Sequence, residues 1–543
     1  MNVNLNLSKI ISFITSRGFQ IHPDALVLIE NTKGEMIQIV EEILTEKRER
    51  KESNIISSED IRNALNLSND TTLTENDKDD NSNSIILNST DSDKHSDIEK
   101  VIEKTALELI THNPTGFNQN YYNNNIVYDS NYSINSGEGV EGYISLFRSR
   151  FDKSLKILSN RPDSKRIKKI VSIKQSFSQS RNNSNSNLHS KERNEETLFV
   201  AGLVMEKKQK KNSYNIAIDD QTGLLEIAAY NDDLKKQISL LTLDQMIMIE
   251  LENNVKKKNY VMKNLYSLDV PDRISNRAHS EVYAVLISDL HIGSKFFMEN
   301  EFQMFLDWLN FTGEHKEIVS KIRYICICGD LIDGIGIFPH QDKELLEKDS
   351  FSQMEHATKL LSKIPKHMKV FLIPGNHDLG RRALPQPAIP KKYADKIYSL
   401  SNVTMLGNPC MIDMEGVKTL MFHGQSLDDT IATIPGLSYS KPAEAMKILL
   451  KSRHLSPIYG QRTPIAPEIE DMMVIEEVPD IFHSGHVHVI DVDSYKGTLV
   501  VNSGAWQTQT PFQRAMGITP TPGIAIVINL STLKPYQINF TNF

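Results

Sequence analysis

Two periodicities alternate along the second half of the chain. Apolar runs at 283–287, 324–328 and 370–373 are short and uninterrupted, which indicates buried strands. Between the first two runs, apolar residues recur at helical spacing: Phe302, Phe305, Leu306 and Leu309. Strands that alternate with helices in this way are typical of layered α/β packing around a mostly buried sheet. We therefore predict a layered α/β domain over residues 280–543.

Residues 197–272 have a β-type pattern instead. Segments such as YNIAIDD and MIMIELENN are short, alternating or apolar, and polar turns separate them. About five such strands within a stretch of this length predict a small β-barrel of the OB type. A generic β-domain is the alternative that this pattern leaves open.

The first part of the chain contains fewer apolar residues at regular spacing. Residues 1–65 show several short helical patterns and predict a small N-terminal helical domain for docking. Residues 66–196 include stretches almost devoid of large apolar side chains, so we predict a mostly disordered, low-complexity linker with one helical island at 97–111. The whole chain is thus expected to be a multidomain α/β protein.

A basic tract lies inside this predicted linker, at residues 147–170. Its lysines and arginines could contact DNA phosphates. A solvated basic linker is the alternative, and the composition alone favours it.

Composition narrows the classes of function. The 543 residues have a formal net charge of −8, so any nucleic acid must be bound through local basic patches or through metal ions. No run approaches eighteen uninterrupted apolar residues, which predicts no membrane span and no membrane partner. The three cysteines, Cys326, Cys328 and Cys410, form no CxxC pair and are expected to be buried and structural in a reducing, cytoplasmic setting.

Polar side chains of a restricted kind follow the predicted strands. The motifs are D-x-H at 289–291, GDxxD at 329–333, GNHD at 375–378, HG at 423–424 and GHxH at 485–488. Each motif alone is common in turns. Together, each after an apolar run, they place carboxylate, imidazole and amide groups at strand ends, where α/β sheets have their active sites.

Phosphodiester hydrolysis explains this choice of side chains. The reaction requires neutralised phosphate charge and a source of hydroxide near neutral pH, and two divalent ions about 3.5–4 Å apart provide both. Such a pair needs mixed oxygen and nitrogen ligands and one carboxylate that bridges the ions. Borderline ions such as Mn²⁺ accept both histidine and aspartate.

The combination of motifs resembles the calcineurin-like metallophosphoesterase superfamily over about residues 280–510. The resemblance implies seven metal ligands: Asp289, His291, Asp330 and His488 for one ion, and Asn376, His423 and His486 for the other. It implies that Asp330 bridges the ions. His377 matches a residue that faces the leaving group, where a protonated imidazole would stabilise the departing alkoxide or donate a proton to it. Asp378 is expected either to orient His377 or to be a plain turn residue, and His483 is expected to be structural.

A narrower resemblance rests on longer segments. GNHD continues as LGRRALPQPAIP, and the chain also contains HGQSLDD, RHLSPIYGQRTPIAPE and NSGAWQTQTPFQ. Together with the order of the predicted domains, these segments are similar to the small subunit of archaeal family-D DNA polymerase. This resemblance implies a metal-dependent 3′→5′ exonuclease used for proofreading, with two manganese ions, or magnesium in their place. It also implies a large polymerising subunit as partner and a single-stranded or frayed 3′ end of DNA as substrate.

Two other functions compete with this interpretation. A non-catalytic polymerase scaffold would share the fold, but the intact ligand set argues against it. A stand-alone phosphoesterase for a small phosphate ester would need neither the helical domain nor the barrel.

A few further residues have two interpretations each. Arg381 and Arg382 either contact DNA phosphate or form surface salt bridges. Trp506, Phe512 and Tyr459 either stack on a frayed base or pack in a core, and core packing is favoured for each of them.

Overall fold

The chain divides into two compact units, Met1–Glu108 and Leu109–Phe543. The computed structural model describes a few positions between 20 and 61 and four longer stretches: residues 125–182, 198–252, 260–311 and 314–542. In the first unit, strands β1 (Gln20–Ile21) and β2 (Ile55–Ile56) pair in parallel, and described positions within 40–47 and 60–61 are helical. The predicted helical domain at 1–65 otherwise lies outside the described residues, as does the predicted helical island at 97–111.

The second unit contains both helices and strands. Its described α-helices are α1 (Gly139–Leu158), α2 (Ile170–Asn182), α3 (Asp232–Ser239), α4 (Glu299–Leu309), α5 (Lys316–Val319), α6 (Ser350–Leu361), α7 (Lys391–Tyr398), α8 (Leu427–Thr433), α9 (Pro442–Ser452) and α10 (Pro511–Ala515). Its described strands are β3 (Ile126–Asp129), β4 (Leu198–Gln209), β5 (Tyr214–Asp219), β6 (Leu224–Ala229), β7 (Met246–Glu252), β8 (Tyr260–Ser267), β9 (Tyr283–Ile287), β10 (Ile322–Cys328), β11 (Lys369–Ile373), β12 (Val403–Met405), β13 (Cys410–Met414), β14 (Val417–Met421), β15 (Ile481–Ser484), β16 (Asp491–Tyr495), β17 (Thr498–Asn502), β18 (Ile524–Asn529) and β19 (Lys534–Asn539). None of these helices is long and apolar enough to cross a membrane.

Strands β4 to β8 form a closed barrel within the described part of the chain. Their order around the barrel is β4-β5-β6-β8-β7, and pairing of β4 with β7 closes it. Helix α3 connects β6 with β7, and it buries Leu234 and Ile238 against the barrel core. Inward-facing residues such as Val200, Ile216 and Ile249 alternate along their strands and fill that core.

Two further sheets, each of six strands among the described residues, make up the rest of the unit. The first has the order β12-β11-β10-β9-β18-β19, and the second has the order β16-β17-β15-β14-β13-β3. Strands β9, β10 and β11 run parallel to one another, as do β14 and β15. The sequences of β9, β10 and β11 are mostly continuous apolar runs because both faces of each strand are buried.

The two sheets pack face to face, with helices on their outer sides. Buried side chains from both sheets share one cluster, including Leu286, Cys326 and Phe371 from the first and Ile412, Met421 and Ile481 from the second. The opposite face of the first sheet packs against α4, α6 and α7, and that of the second against α8 and α9. The result is the layered α/β arrangement that the periodicity predicts for residues 280–543.

Residues 125–182 contradict the prediction of a mostly disordered linker over 66–196. Strand β3 is an edge strand of the second sheet, and α1 covers the outside of the barrel through Phe151 and Leu158. The buried stripe of α1 also contains Gly142, Arg150 and Ser154. Apolar residues nevertheless recur at helical spacing along α1, at Phe147, Phe151, Leu155 and Leu158, so the pattern of a helix was present in the sequence of this basic tract.

Arg150 is the centre of the contact that holds α1 in place. Its side chain is buried, and Nε donates to Asp471 Oδ2 at 2.7 Å. Nη1 donates to the carbonyl oxygens of Pro457 at 2.6 Å and Asp244 at 3.3 Å. One arginine of the basic tract therefore joins the barrel to the layered domain and is not available to DNA.

Candidate metal centre

The loops after five strands bring the predicted residues to one place. In each sheet the parallel strands end at the same edge, and the chain turns there into the motifs. The loop after β9 contains Asp289 and His291, and the loop after β10 contains Asp330. Three more loops supply the remaining predicted residues: Asn376 and His377 after β11, His423 after β14, and His486 and His488 after β15.

The backbone at five of the seven predicted ligands is left-handed. These residues have φ between 51° and 68°: Asp289, His291, Asp330, His486 and His488. A non-glycine residue in this region costs of order 1 kcal/mol, and such conformations cluster at functional sites. The left-handed turns aim these side chains toward one another instead of along the chain direction.

Asp289, His291 and His488 form a first group of donors that could hold one ion. Nε2 of His291 lies 3.0 Å from Nε2 of His488, and Oδ1 of Asp289 lies 3.3 Å from the same atom of His488. Oδ1 of Asp289 is buried and has no hydrogen-bond partner among the described residues. Two facing imidazole nitrogens beside an unbonded carboxylate oxygen are a donor set that fits a divalent cation.

Asp330, His423 and His486 form a second such group, with donor atoms within 4.8 Å of one another. Oδ2 of Asp330 lies 3.3 Å from Nε2 of His423 and 3.7 Å from Nε2 of His291. Nε2 of His423 is also 3.1 Å from Oδ1 of Asn376. The Asp330 carboxylate therefore lies between the two groups, which is the position that a bridging ligand requires.

Buried hydrogen bonds orient the histidine rings. Nδ1 of His423 lies 2.8 Å from the carbonyl oxygen of Cys328, an acceptor only, so Nδ1 has the proton and donates it, which leaves Nε2 facing Asp330. Nδ1 of His291 is bonded to Asp333 Oδ1 at 3.0 Å, and Nε2 of His486 is 3.2 Å from Asp428 Oδ2. Such outer contacts fix ring orientation around metal centres.

Asp333 and Asp428 are residues of the site to which the sequence patterns alone gave no role. Asp333 is the second aspartate of GDxxD, and Asp428 belongs to HGQSLDD. The sequence feature that could have identified them is that each belongs to the same motif as a predicted ligand.

Buried carboxylates dominate the electrostatics of the site. Burial alone lowers the pKa of His291, but the hydrogen bond that His291 donates to Asp333 and the charge of Asp330 outweigh it and raise the pKa to about 9. In the same way, Asp330 overcomes burial and raises the pKa of His423 to about 10. Burial raises the pKa of Asp289, whereas His488 lowers it, with a net value of about 2. In the ion-free protein, protonated imidazoles supply the positive charge that divalent ions would otherwise supply to these carboxylates.

His377 lies beside the two groups of donors. Its backbone N–H donates to Asp330 Oδ1 at 2.8 Å, and its ring is edge-on to His291 with centroids 4.6 Å apart. Nδ1 lies 2.8 Å from the carbonyl oxygen of Asp333, so it has the proton and donates, and Nε2 is left for a substrate oxygen. Burial lowers the pKa of His377.

Asp378 does not orient His377 but ties two loops together. Its carboxylate accepts backbone N–H bonds from Gly375 at 2.9 Å, Leu331 at 3.2 Å and Ile332 at 3.2 Å. Burial and the charge of Asp330 raise the pKa of Asp378 to about 7. This aspartate therefore fixes the loop that contains Asp330 against the loop that contains Asn376.

The structure shows where the two arginines and three aromatic residues with two interpretations lie. Arg381 forms an ion pair with buried Glu468 at 2.6 Å, whereas Arg382 is exposed. Trp506 is buried in the core against Phe302, whereas Tyr459 is 40% exposed and packs on Tyr143 outside the core. Phe512 is exposed, contrary to the core packing that was favoured for it.

Two structural expectations are met. His483 is buried and bonds to the Ser503 hydroxyl at 3.0 Å, outside both groups of donors. The three cysteines are free thiols in the core.

Two facing sheets, with carboxylate, imidazole and amide donors gathered at the ends of their parallel strands, define a layered α/β protein with a candidate metal centre. The family model for the B subunit of DNA polymerase alpha/epsilon matches residues 284–488. The DNA polymerase II small subunit of Methanothermobacter thermautotrophicus is 36% identical over 412 residues, which cover 75% of this chain and 80% of that protein. The chain belongs to the family of DNA polymerase II small subunits, and the family resemblance found in the sequence is confirmed.

Other similar proteins agree in family but differ in length. The DNA polymerase II small subunit of Pyrococcus furiosus is 40% identical over 405 residues, which cover 74% of this chain and 63% of that protein. The chain thus spans less than two thirds of the length of this relative. Among solved structures, an archaeal phosphodiesterase matches 47% of this chain and 99% of its own, with 11% identity and a TM-score of 0.25.

Proposed function

We propose that this chain is the 3′→5′ exonuclease subunit of a replicative DNA polymerase and that it hydrolyses DNA phosphodiester bonds with two divalent ions. The main support is the convergence of six other residues with oxygen or nitrogen donors, from both sheets, around the buried carboxylate of Asp330. A scaffold that had lost catalysis would have no need to keep such a set of mutually repelling or unbonded polar groups in its interior.

The residues have separate proposed roles. One ion would be held by Asp289, His291, Asp330 and His488, and the other by Asp330, Asn376, His423 and His486. Bound manganese or magnesium would neutralise the phosphate charge and lower the pKa of a water molecule. Nδ1 of His377 is engaged with the carbonyl oxygen of Asp333, so Nε2 would face the leaving 3′ oxygen. Beside the negatively charged phosphate, Nε2 would take up a proton from solvent and pass it to that oxygen.

The proposed partners are DNA, with a single-stranded or frayed 3′ end, and a large polymerising subunit in the cytoplasm. The relatives named small subunit support the partner, because the name describes one part of a larger polymerase. We further propose that the barrel is of the OB type. The order of its strands, first-second-third-fifth-fourth, and the helix before the fourth strand support this assignment.

The alternatives predict different measurements. A non-catalytic scaffold would bind the large subunit but would neither retain ions nor degrade DNA. A stand-alone phosphoesterase would hydrolyse a small phosphate ester and would not co-purify with a polymerase.

The test of the proposed function is substitution of the bridging residue. Asp330→Ala should abolish release of nucleotides from a 3′-labelled oligonucleotide and should lower bound manganese, measured by elemental analysis of the dialysed protein. Asp395→Ala, at an exposed aspartate on α7, is the control and should change neither quantity. Near-normal degradation of DNA by the Asp330 variant would refute the assignment.

A further inference from the structure

An aromatic wall borders the candidate metal centre. A cavity of about 270 Å³ is lined by predicted ligands such as Asp330 and His486, and also by Phe338 and Phe512. The apolar side chain of Phe512 is 63% exposed, and Phe338 is half-buried. A cavity that is lined by aromatic rings beside convergent polar side chains is typical of a ligand-binding site.

Phe512 has a fixed position relative to the ligands. It is the second residue of α10, whose start is capped reciprocally by Thr510 and Gln513. The side chain of Gln513 is buried, and its Nε2 lies 2.8 Å from Nδ1 of His488. The residue next to Phe512 in sequence therefore contacts a predicted ligand directly.

Phe338 is fixed in a similar way. It lies in the loop that follows Asp333, and the buried side chain of Gln341 holds that loop. Oε1 of Gln341 accepts from the backbone N–H of Ile337 at 2.9 Å, and Nε2 donates to Asp333 Oδ2 at 3.0 Å. Asp333 in turn bonds His291. A buried glutamine therefore connects the segment of each phenylalanine to the donor groups.

We propose that Phe512, with Phe338 as a second wall, is a stacking platform for the base of the 3′-terminal nucleotide. This inference rests on the proposed function. Every base has a π-face, so stacking on an aromatic ring binds any of the four bases. A base in a duplex is already stacked and paired, and it reaches such a platform only after it leaves the helix. The platform therefore selects unpaired 3′ ends, as a proofreading exonuclease must.

The first experiment measures stacking without hydrolysis. The full chain is mixed with a single-stranded oligonucleotide that has 2-aminopurine at its 3′ end, in Ca²⁺, and the oligonucleotide is checked to remain intact. Wild-type protein should quench the fluorescence, Phe512→Ala should lose the quenching, and Phe512→Tyr should retain it. Phe351→Ala is the matched control, because Phe351 is 58% exposed but does not line the cavity. Equal signals from wild type and Phe512→Ala, or no quenching by wild type, would overturn the platform.

The second experiment measures its effect on turnover in Mn²⁺. We compare kcat/KM for oligonucleotides whose 3′-terminal residue has a base or is abasic. Loss of the base should cost wild type roughly 5- to 150-fold, and Phe512→Ala should lose about the same factor on the normal end but little on the abasic end. An unchanged preference for the base in Phe512→Ala would also overturn the platform.

The two experiments separate this inference from the proposed function. If wild type degrades neither oligonucleotide, the exonuclease assignment fails, while the fluorescence measurement still decides whether the base stacks on Phe512.

Discussion

At the scale of single residues, the site is built from conformations and protonation states that are unfavourable in isolation. Asp289 and His488 hold left-handed backbone angles, and a carboxylate oxygen of Asp289 is buried without a hydrogen bond from the described residues. Such features persist only where surrounding structure enforces them. Here the backbone N–H of Asp289 donates to the carbonyl oxygen of Gly329 at 3.0 Å, and the carbonyl oxygen of His488 accepts from the N–H of Thr521 at 2.9 Å. The strain is consistent with selection for a function of these side chains.

Mutation should distinguish the catalytic role of His377 from the metal-binding role of the predicted ligands. We expect His377→Ala to keep its bound manganese, because the contact with Asp330 comes from the backbone N–H of residue 377. Its rate of 3′ nucleotide release should fall by about 10²–10⁴-fold, the usual contribution of a general acid. His356→Ala, outside the cavity, is the control. Loss of metal from the His377 variant would instead identify His377 as a ligand.

His483 should make the protein sensitive to acid. Burial lowers its pKa to about 3, below the value near 6.5 of an unfolded histidine. Between these values the unfolded state binds one more proton, so the stabilisation is present above pH 6.5 and is lost as the pH falls toward 3. The difference in unfolding free energy between wild type and His483→Gln should shrink by about 2–3 kcal/mol from pH 7 to pH 4.5.

Urea denaturation at the two pH values, with EDTA present, measures that difference. A difference that does not change with pH would show that folding does not lower the pKa of His483.

At the scale of secondary-structure elements, helix α1 is the connection between the barrel and the layered domain. Its buried stripe places Arg150 within reach of Asp471, 321 positions away in sequence. Asp471 also bonds His454 at 3.0 Å, and His454 and Arg150 together hold the pKa of Asp471 well below its usual range against the effect of burial. The element is therefore anchored by a buried ion pair in addition to its apolar contacts with the barrel.

Removing Arg150 should destabilise the second unit strongly. Arg150→Met leaves Asp471 buried without its arginine partner, and breaking a buried ion pair typically costs about 3–5 kcal/mol. Lys153→Met is the control, because Lys153 pairs with two largely exposed glutamates and its loss should cost less than about 1 kcal/mol.

The midpoint of urea denaturation for each variant checks this prediction. Equal midpoints for the two variants would mean that the Arg150 contact contributes no more than a surface pair.

At the scale of the whole molecule, the barrel, α1 and the two sheets belong to one compact unit, Leu109–Phe543. A cut at residue 196 would remove β3 from its sheet and α1 from the barrel, so the unit must be taken from residue 109 onward. A proofreading subunit has to receive a primer end from a polymerising site, and a stable complex raises the frequency of that encounter.

The second unit should contain most of the interface with the large subunit. In a pull-down, residues 109–543 are expected to retain the large polymerising subunit, and residues 1–108 are expected to retain little of it. Retention by the first piece alone would contradict this view of the assembly, although the metal centre would be unaffected.

The sequence by itself determined the features that depend on local pattern. Uninterrupted apolar runs identified β9, β10 and β11, because a strand buried on both faces must be apolar throughout. The motifs after those runs identified the family, which the relatives confirm. The seven ligand assignments stay a prediction, but the structure brings all seven side chains together.

Only the tertiary structure decided the features that depend on distant partners. The burial of Arg150 is one such feature, because its charge is stable in the interior only beside Asp471, a partner that no local pattern reveals. The roles of Asp333, Asp378 and Asp428 depend in the same way on which loops meet at the edge of the sheets. The apolar pattern of a strand can be seen in adjacent residues of the sequence. The partner that stabilises a buried charge can be distant in sequence, so only the folded chain shows it.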